Sequence, residues 1–98
     1  MERKGQYGKP IDVICQHSTD GSVIPMRVRV RDEDGGFQTL NVKGYRDYSH
    51  NPEYKLPNGY QLTTYDFCFE CNIVVFGMRK KIILFYRPQS DSVWRVVM

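Results

Sequence analysis

From Met26 to Arg31 the chain alternates apolar and basic residues without a slip: Met-Arg-Val-Arg-Val-Arg. A period of two puts every second side chain on the same face of an extended strand, and a helix cannot sort such a segment. One face, with Met26, Val28 and Val30, has to be buried. The other points Arg27, Arg29 and Arg31 outward. The rest of the chain agrees with this reading. Alanine is absent, leucine occurs four times, and ten valines, six isoleucines, seven tyrosines and five phenylalanines make up most of the apolar set. Strong helix formers are scarce and β-branched and aromatic residues abound. This excludes a helical bundle and predicts an all-β fold.

With 98 residues the chain has room for one domain and one core. Residues 1–9 are polar and read as a loose arm, and residues 10–98 as a single β-domain. Six strand-like runs fall into two groups of three: sheet one over 11–45 and sheet two over 63–98. The connection 46–62 holds Pro52, Pro57 and the turn dipeptide Asn58-Gly59, with room for a helical turn.

The registers follow from turn chemistry. Asp20-Gly21 predicts a two-residue type I′ hairpin, pairing Val13 with Val28, Cys15 with Met26 and Ile11 with Val30. A three-residue loop at Asp34-Gly35-Gly36 pairs Val30 with Leu40 and Val28 with Val42. It sets Lys43 opposite Arg27. In the second group, Phe76-Gly77-Met78-Arg79 predicts a type II′ turn pairing Ile73 with Ile82, Cys71 with Leu84 and Phe69 with Tyr86. A five-residue loop from Pro88 to Ser92 then puts Trp94, Val96 and Met98 on the apolar face and Arg95 outside. Two three-stranded meanders with one apolar face each must bury those faces together. The expected fold is a six-stranded antiparallel small barrel or sandwich, SH3-like in character.

The chemistry-bearing residues are few. Cys68 and Cys71 have the CxxC spacing, but residues three apart on a strand face opposite sides. Cys71 is expected in the core and Cys68 outside, beside Arg87. The three cysteines read as free thiols. His17 and His50 have no nucleophile motif around them. The acidic tip Asp32-Glu33-Asp34 lacks the length and terminal glutamate of a calcium loop. No phosphate-cradling glycine loop occurs. The expectation is a non-catalytic protein with no metal, no cofactor and no evident small-molecule substrate, leaving His17 and the thiols as the sole catalytic candidates. No apolar run approaches the roughly 20 residues of a membrane span, and Met1 to Gly5 lead into no signal region. A cytoplasmic protein is the expectation.

Two surfaces remain. The face with Arg27, Arg29, Arg31 and Lys43 is either a solvated face that discourages aggregation or a positive ribbon for nucleic acid. Stacking aromatics, the usual companion of a nucleic-acid platform, are not expected on it. The net charge of +3 permits an anionic partner without demanding one. The outer face of sheet two carries Val74, Phe76, Ile83, Phe85 and Val97. That is either a protein interface, most simply a homodimer, or a surface covered by residues 1–9 or 46–62.

The order Asp20-Gly21, Pro25-Met26-Arg27 and Asp32-Glu33-Asp34-Gly35, followed by an aromatic-rich strand pair and Trp94, resembles a group of short uncharacterised bacterial all-β proteins. The resemblance spans most of the chain and implies a stand-alone bacterial β-domain, with no activity attached. By fold analogy such a domain is a binding module for itself, another protein or nucleic acid. Far-ultraviolet circular dichroism should be β-dominated, and a helix content above about a third would overturn the fold assignment.

Overall fold

Strands account for all the regular structure in the computed structural model, which describes residues 8–31, 34–90 and 92–97. They are β1 (Lys9–Pro10), β2 (Asp12–His17), β3 (Val23–Arg31), β4 (Phe37–Asn41), β5 (Gly44–Asp47), β6 (Phe67–Val75), β7 (Met78–Tyr86) and β8 (Trp94–Val97). Two antiparallel sheets result, a five-stranded one ordered β1-β8-β7-β6-β5 and a three-stranded one ordered β2-β3-β4. The expected helical turn in the 46–62 connection is replaced by turns and an isolated bridge between Lys55 and Gln61.

Eight strands stand where six were expected, because two runs pass from one sheet to the other. Ile11 lies between β1 and β2, and its N–H donates to the Trp94 carbonyl at 3.0 Å. Val42 donates to Met26 of the three-stranded sheet, and the next residue, Lys43, to Asn72 of the five-stranded sheet. Sheet one therefore ends at Asn41 rather than residue 45. The expected arm also shortens, since Lys9 pairs with Val96. Gly8 makes that approach possible: it has φ +76°, and a Cβ there would stand 2.6 Å from the Val96 carbonyl oxygen. The remaining arm residues, 1–7, lie outside the described residues, as do Asp32, Glu33 and Met98.

Faces come out as the alternation predicts, while registers shift. Val13 pairs with Val28 as expected, but a bulge comes next, and Cys15 faces Pro25. Pro25, which has no N–H to give, is fully buried there, and the extra residue Met26 is 44% exposed instead of buried. Val28 faces Leu40 and Val30 faces Gln38, two residues from the expected register. The second hairpin also slips by two, pairing Cys71 with Ile82 and Phe69 with Leu84. Its turn centres on Phe76 and Gly77, with φ of 52° and 74°. Two positive φ values are the type I′ pattern rather than type II′. The last hairpin keeps its predicted register, with Tyr86 opposite Trp94 and Leu84 opposite Val96.

Instead of the single expected core, two apolar clusters lie on opposite faces of the five-stranded sheet, because β6 and β7 bury side chains on both faces. Val28 and Leu40 meet Phe69, Cys71, Ile73, Ile82, Leu84 and Val96 between the sheets. Leu56, Leu62, Cys68, Ile83 and Phe85 form the second cluster, with Tyr48, Tyr54, Tyr60 and Val97 packed against it. The expected exposed patch is thus largely covered: Phe85 is 0% and Ile83 5% exposed, and Val97 is half-buried. The cover is the connection between β5 and β6. Its leucines and tyrosines leave water together with Ile83 and Phe85, which a bare sheet face could not achieve. Tyr60 stacks on Phe85 with ring centroids 5.5 Å apart, and Tyr48 on Tyr54 at 4.1 Å.

Polar contacts hold the cover in place. Buried Asp66 accepts from the Tyr60 hydroxyl and from the Thr63 N–H through Oδ2, each at 3.0 Å. The Ser49 hydroxyl accepts from the Cys68 N–H at 2.9 Å. Leu62→Ala should destabilise the fold by about 2–5 kcal/mol in chemical denaturation. Phe85→Glu should abolish the cooperative unfolding transition. A folded, soluble Phe85→Glu variant would show that the connection leaves this face open.

Candidate functional site

The outer face of the three-stranded sheet is built by the alternation of β3. With Val28 and Val30 turned toward the core, Arg27, Arg29 and Arg31 project outward, about 6.7 Å apart along the strand. The pairings bring Asp12 and Thr39 beside Arg29, Ile14 and Asn41 beside Arg27, and Phe37 beside Arg31. Asp12 accepts from Arg29 through one oxygen, from Nη2 at 2.6 Å and Nε at 3.1 Å. Both side chains remain exposed, so the pair orients Arg29 more than it stabilises the fold.

Phe37 overturns one expectation. It is 53% exposed and lies on the arginine face, where no aromatic is expected. The guanidinium carbons of Arg29 and Arg31 sit 4.6 and 4.8 Å from its ring centroid. Cations at that distance are attracted by the ring's quadrupole. The sequence held the signal. Leu40 faces the core, so Phe37, three residues earlier on the same strand, must face out. Lys43 does not join the ribbon as expected. The two-residue shift gives Arg27 to Asn41, and Lys43 is exposed in the crossing from β4 to β5. The like-charged pair foreseen there does not form.

The thiols divide as the strand geometry requires, with Cys71 in one cluster and Cys68 in the other. Cys68, however, is buried opposite Phe85 instead of exposed beside Arg87. Burial pushes both thiols up to about 12. Cys15 is raised by partial burial and is the more accessible thiol. His17 is exposed at the end of β2. His50 is occupied structurally: its Nδ1 donates to the Thr64 carbonyl at 2.8 Å, and its ring meets Phe67 edge-on. Among the described residues no three His, Cys, Asp or Glu side chains gather as metal ligands, and no helix is long and apolar enough to cross a membrane. Comparisons of the chain with protein families, with curated proteins and with solved structures return no match.

Thiol reagents should modify Cys15 well before Cys68 and Cys71 under native conditions, because the reactive species is the accessible thiolate. Peptide mapping after timed alkylation reads this order, and early loss of Cys68 would contradict its burial. The pH dependence has a sign. Below the unfolded thiol value of about 8.5 both states hold the protons. As pH climbs toward 12 the unfolded chain ionises first, and stability falls.

Proposed function

We propose that this chain is a small non-catalytic binding module that holds single-stranded nucleic acid on the outer face of its three-stranded sheet. The observation that carries the reading is Phe37, half-exposed with Arg29 and Arg31 against its ring and Arg27 in file behind them. Such a surface supplies both things an unpaired strand needs. Guanidinium groups neutralise phosphates, and an aromatic ring with planar guanidiniums offers stacking partners to bases. An acidic protein surface would use the charges but not the stacking planes. Asp12 keeps Arg29 upright over the sheet, so part of the ordering cost is met before binding.

The fold suits this role. Taking β1–β2 and β4–β5 each as one bent strand gives a six-stranded barrel-like meander. The hydrogen bonds of Ile11, Val42 and Lys43 across the two bends support that reading. We read the domain as SH3-like on the strength of the same bends. A stiff small barrel presents a side-chain row at fixed spacing. A second reading, self-association, keeps one supporting observation. At the tip of the β6–β7 hairpin Phe76 is 89% exposed, next to exposed Met78. That contact would use Phe76 and Val74, with Ile83, Phe85 and Val97 left in the interior.

Fluorescence anisotropy with a labelled oligothymidine of about 12 nucleotides tests the proposal. Binding should weaken with salt along a log–log slope of about −1.4 for phosphate contacts by Arg27 and Arg31, the two ribbon arginines not tied to Asp12. Arg27→Ala with Arg31→Ala should flatten the slope, and Phe37→Ala should cost about 1–3 kcal/mol of affinity. No binding at low salt would return the face to a solvated role. Light scattering on the same samples reports the self-association reading.

A further inference from the structure

A cleft of about 570 Å³ opens between the two sheets, and its walls come from both. Elsewhere between the sheets large rings fill the space: Phe69 and Tyr86 both pack on Trp94, with centroids 6.2 and 5.1 Å from its ring. Around the cleft the inward side chains are aliphatic. Val30, Leu40, Val75 and Val96 line it, and Phe37 is the one aromatic among the described lining residues. Branched aliphatics are too short to meet across the gap. Val30 and Val75 are consequently only half-buried, although both face inward. The volume falls within the range of about 300–1,000 Å³ usual for small-molecule sites.

The rim has the opposite character. Lys9, Arg31 and Lys80 stand exposed at its edge, and Arg29 is tied to Asp12, the one carboxylate among the described lining residues. The apolar floor asks for hydrocarbon, and the cations ask for an anion. A bare polyanion gains nothing from the floor, and a neutral hydrocarbon leaves the cations without a partner. One molecule that answers both has a single anionic head and an apolar tail.

We propose that the cleft binds a free single-chain carboxylate of medium length. Its tail lies over Val30, Leu40, Val75 and Val96, and its head sits among Lys9, Arg31 and Lys80. The cleft shares Arg31 and Phe37 with the arginine face, but its apolar floor is separate, and decanoate binding does not depend on nucleic-acid binding.

Decanoate is the probe, titrated into the full chain by calorimetry and by methyl NMR below its micelle concentration. The expected result is saturable one-to-one binding, with methyl signals of Val30, Leu40, Val75 and Val96 moving and those of Leu56 and Leu62 unmoved. Decanol should bind at least tenfold more weakly, because it lacks the anion, and butyrate should not saturate, because it lacks the tail. Lys80→Glu should weaken decanoate at least tenfold. Val75→Trp should fill the cleft and abolish binding. Val30→Phe serves the same end if Val75→Trp does not keep the wild-type circular dichroism spectrum. The proposal is overturned by absence of saturable binding, by equal affinity for decanol, or by shifts confined to Leu56 and Leu62. Binding to anionic phospholipid vesicles or to an acidic peptide, without binding to decanoate, also overturns it.

Discussion

Ile82, Ile83, Leu84 and Phe85 are four consecutive apolar residues on one strand, and all four are buried. A strand points successive side chains to opposite faces, so such a run demands cover on both sides of its sheet. Much of the architecture answers that demand. Ile82 and Leu84 pack with Phe69 and Cys71 toward the three-stranded sheet. Ile83 and Phe85 pack with Cys68 beneath Leu56 and Leu62 of the long connection. The result is three layers: a small sheet, a larger sheet, and a loop that does a helix's work without being one.

The two outer layers differ in what they leave for function. The loop layer spends its apolar residues inward and is tied down by Asp66, Ser49 and His50. The inner face of the three-stranded sheet is covered, and on its outer face Arg27, Arg29, Arg31 and Phe37 stand exposed among the described residues. The ion pair to Asp12 and the contacts to Phe37 give these long side chains defined positions.

How far the residues disclose their own arrangement can be traced strand by strand. The β3–β4 and β6–β7 registers differ by two residues from those the turns predict, and a shift of two leaves every side chain on its face. That is why Val28, Leu40, Cys71 and Leu84 point inward as expected even though their partners differ. The bulge at Met26 is the exception. One added residue reverses the inside and outside of the strand at that point, which puts Pro25 inside and Met26 outside. Turn type was the weaker signal. Glycine at position 77 suits either a type II′ turn or the second place of a type I′ turn, and the type I′ turn requires Phe76 to accept a positive φ.

Alternation alone decides that the chain is all-β, which side chains share a face away from the bulge at Met26, and that Cys68 and Cys71 part company. These are local consequences of backbone geometry, and neighbours in sequence suffice to settle them. Whether an apolar face stays open is a different kind of question. Ile83 and Phe85 look the same on a solvent-facing strand and on a covered one. Their fate depends on Tyr60, Leu62 and the other residues of an irregular segment with no periodicity to read. The same holds for Arg29, Arg31 and Phe37, which come together only through the pairing of β3 with β4. Long-range burial and strand pairing, rather than any local preference, decided which of these side chains are covered and which stand exposed.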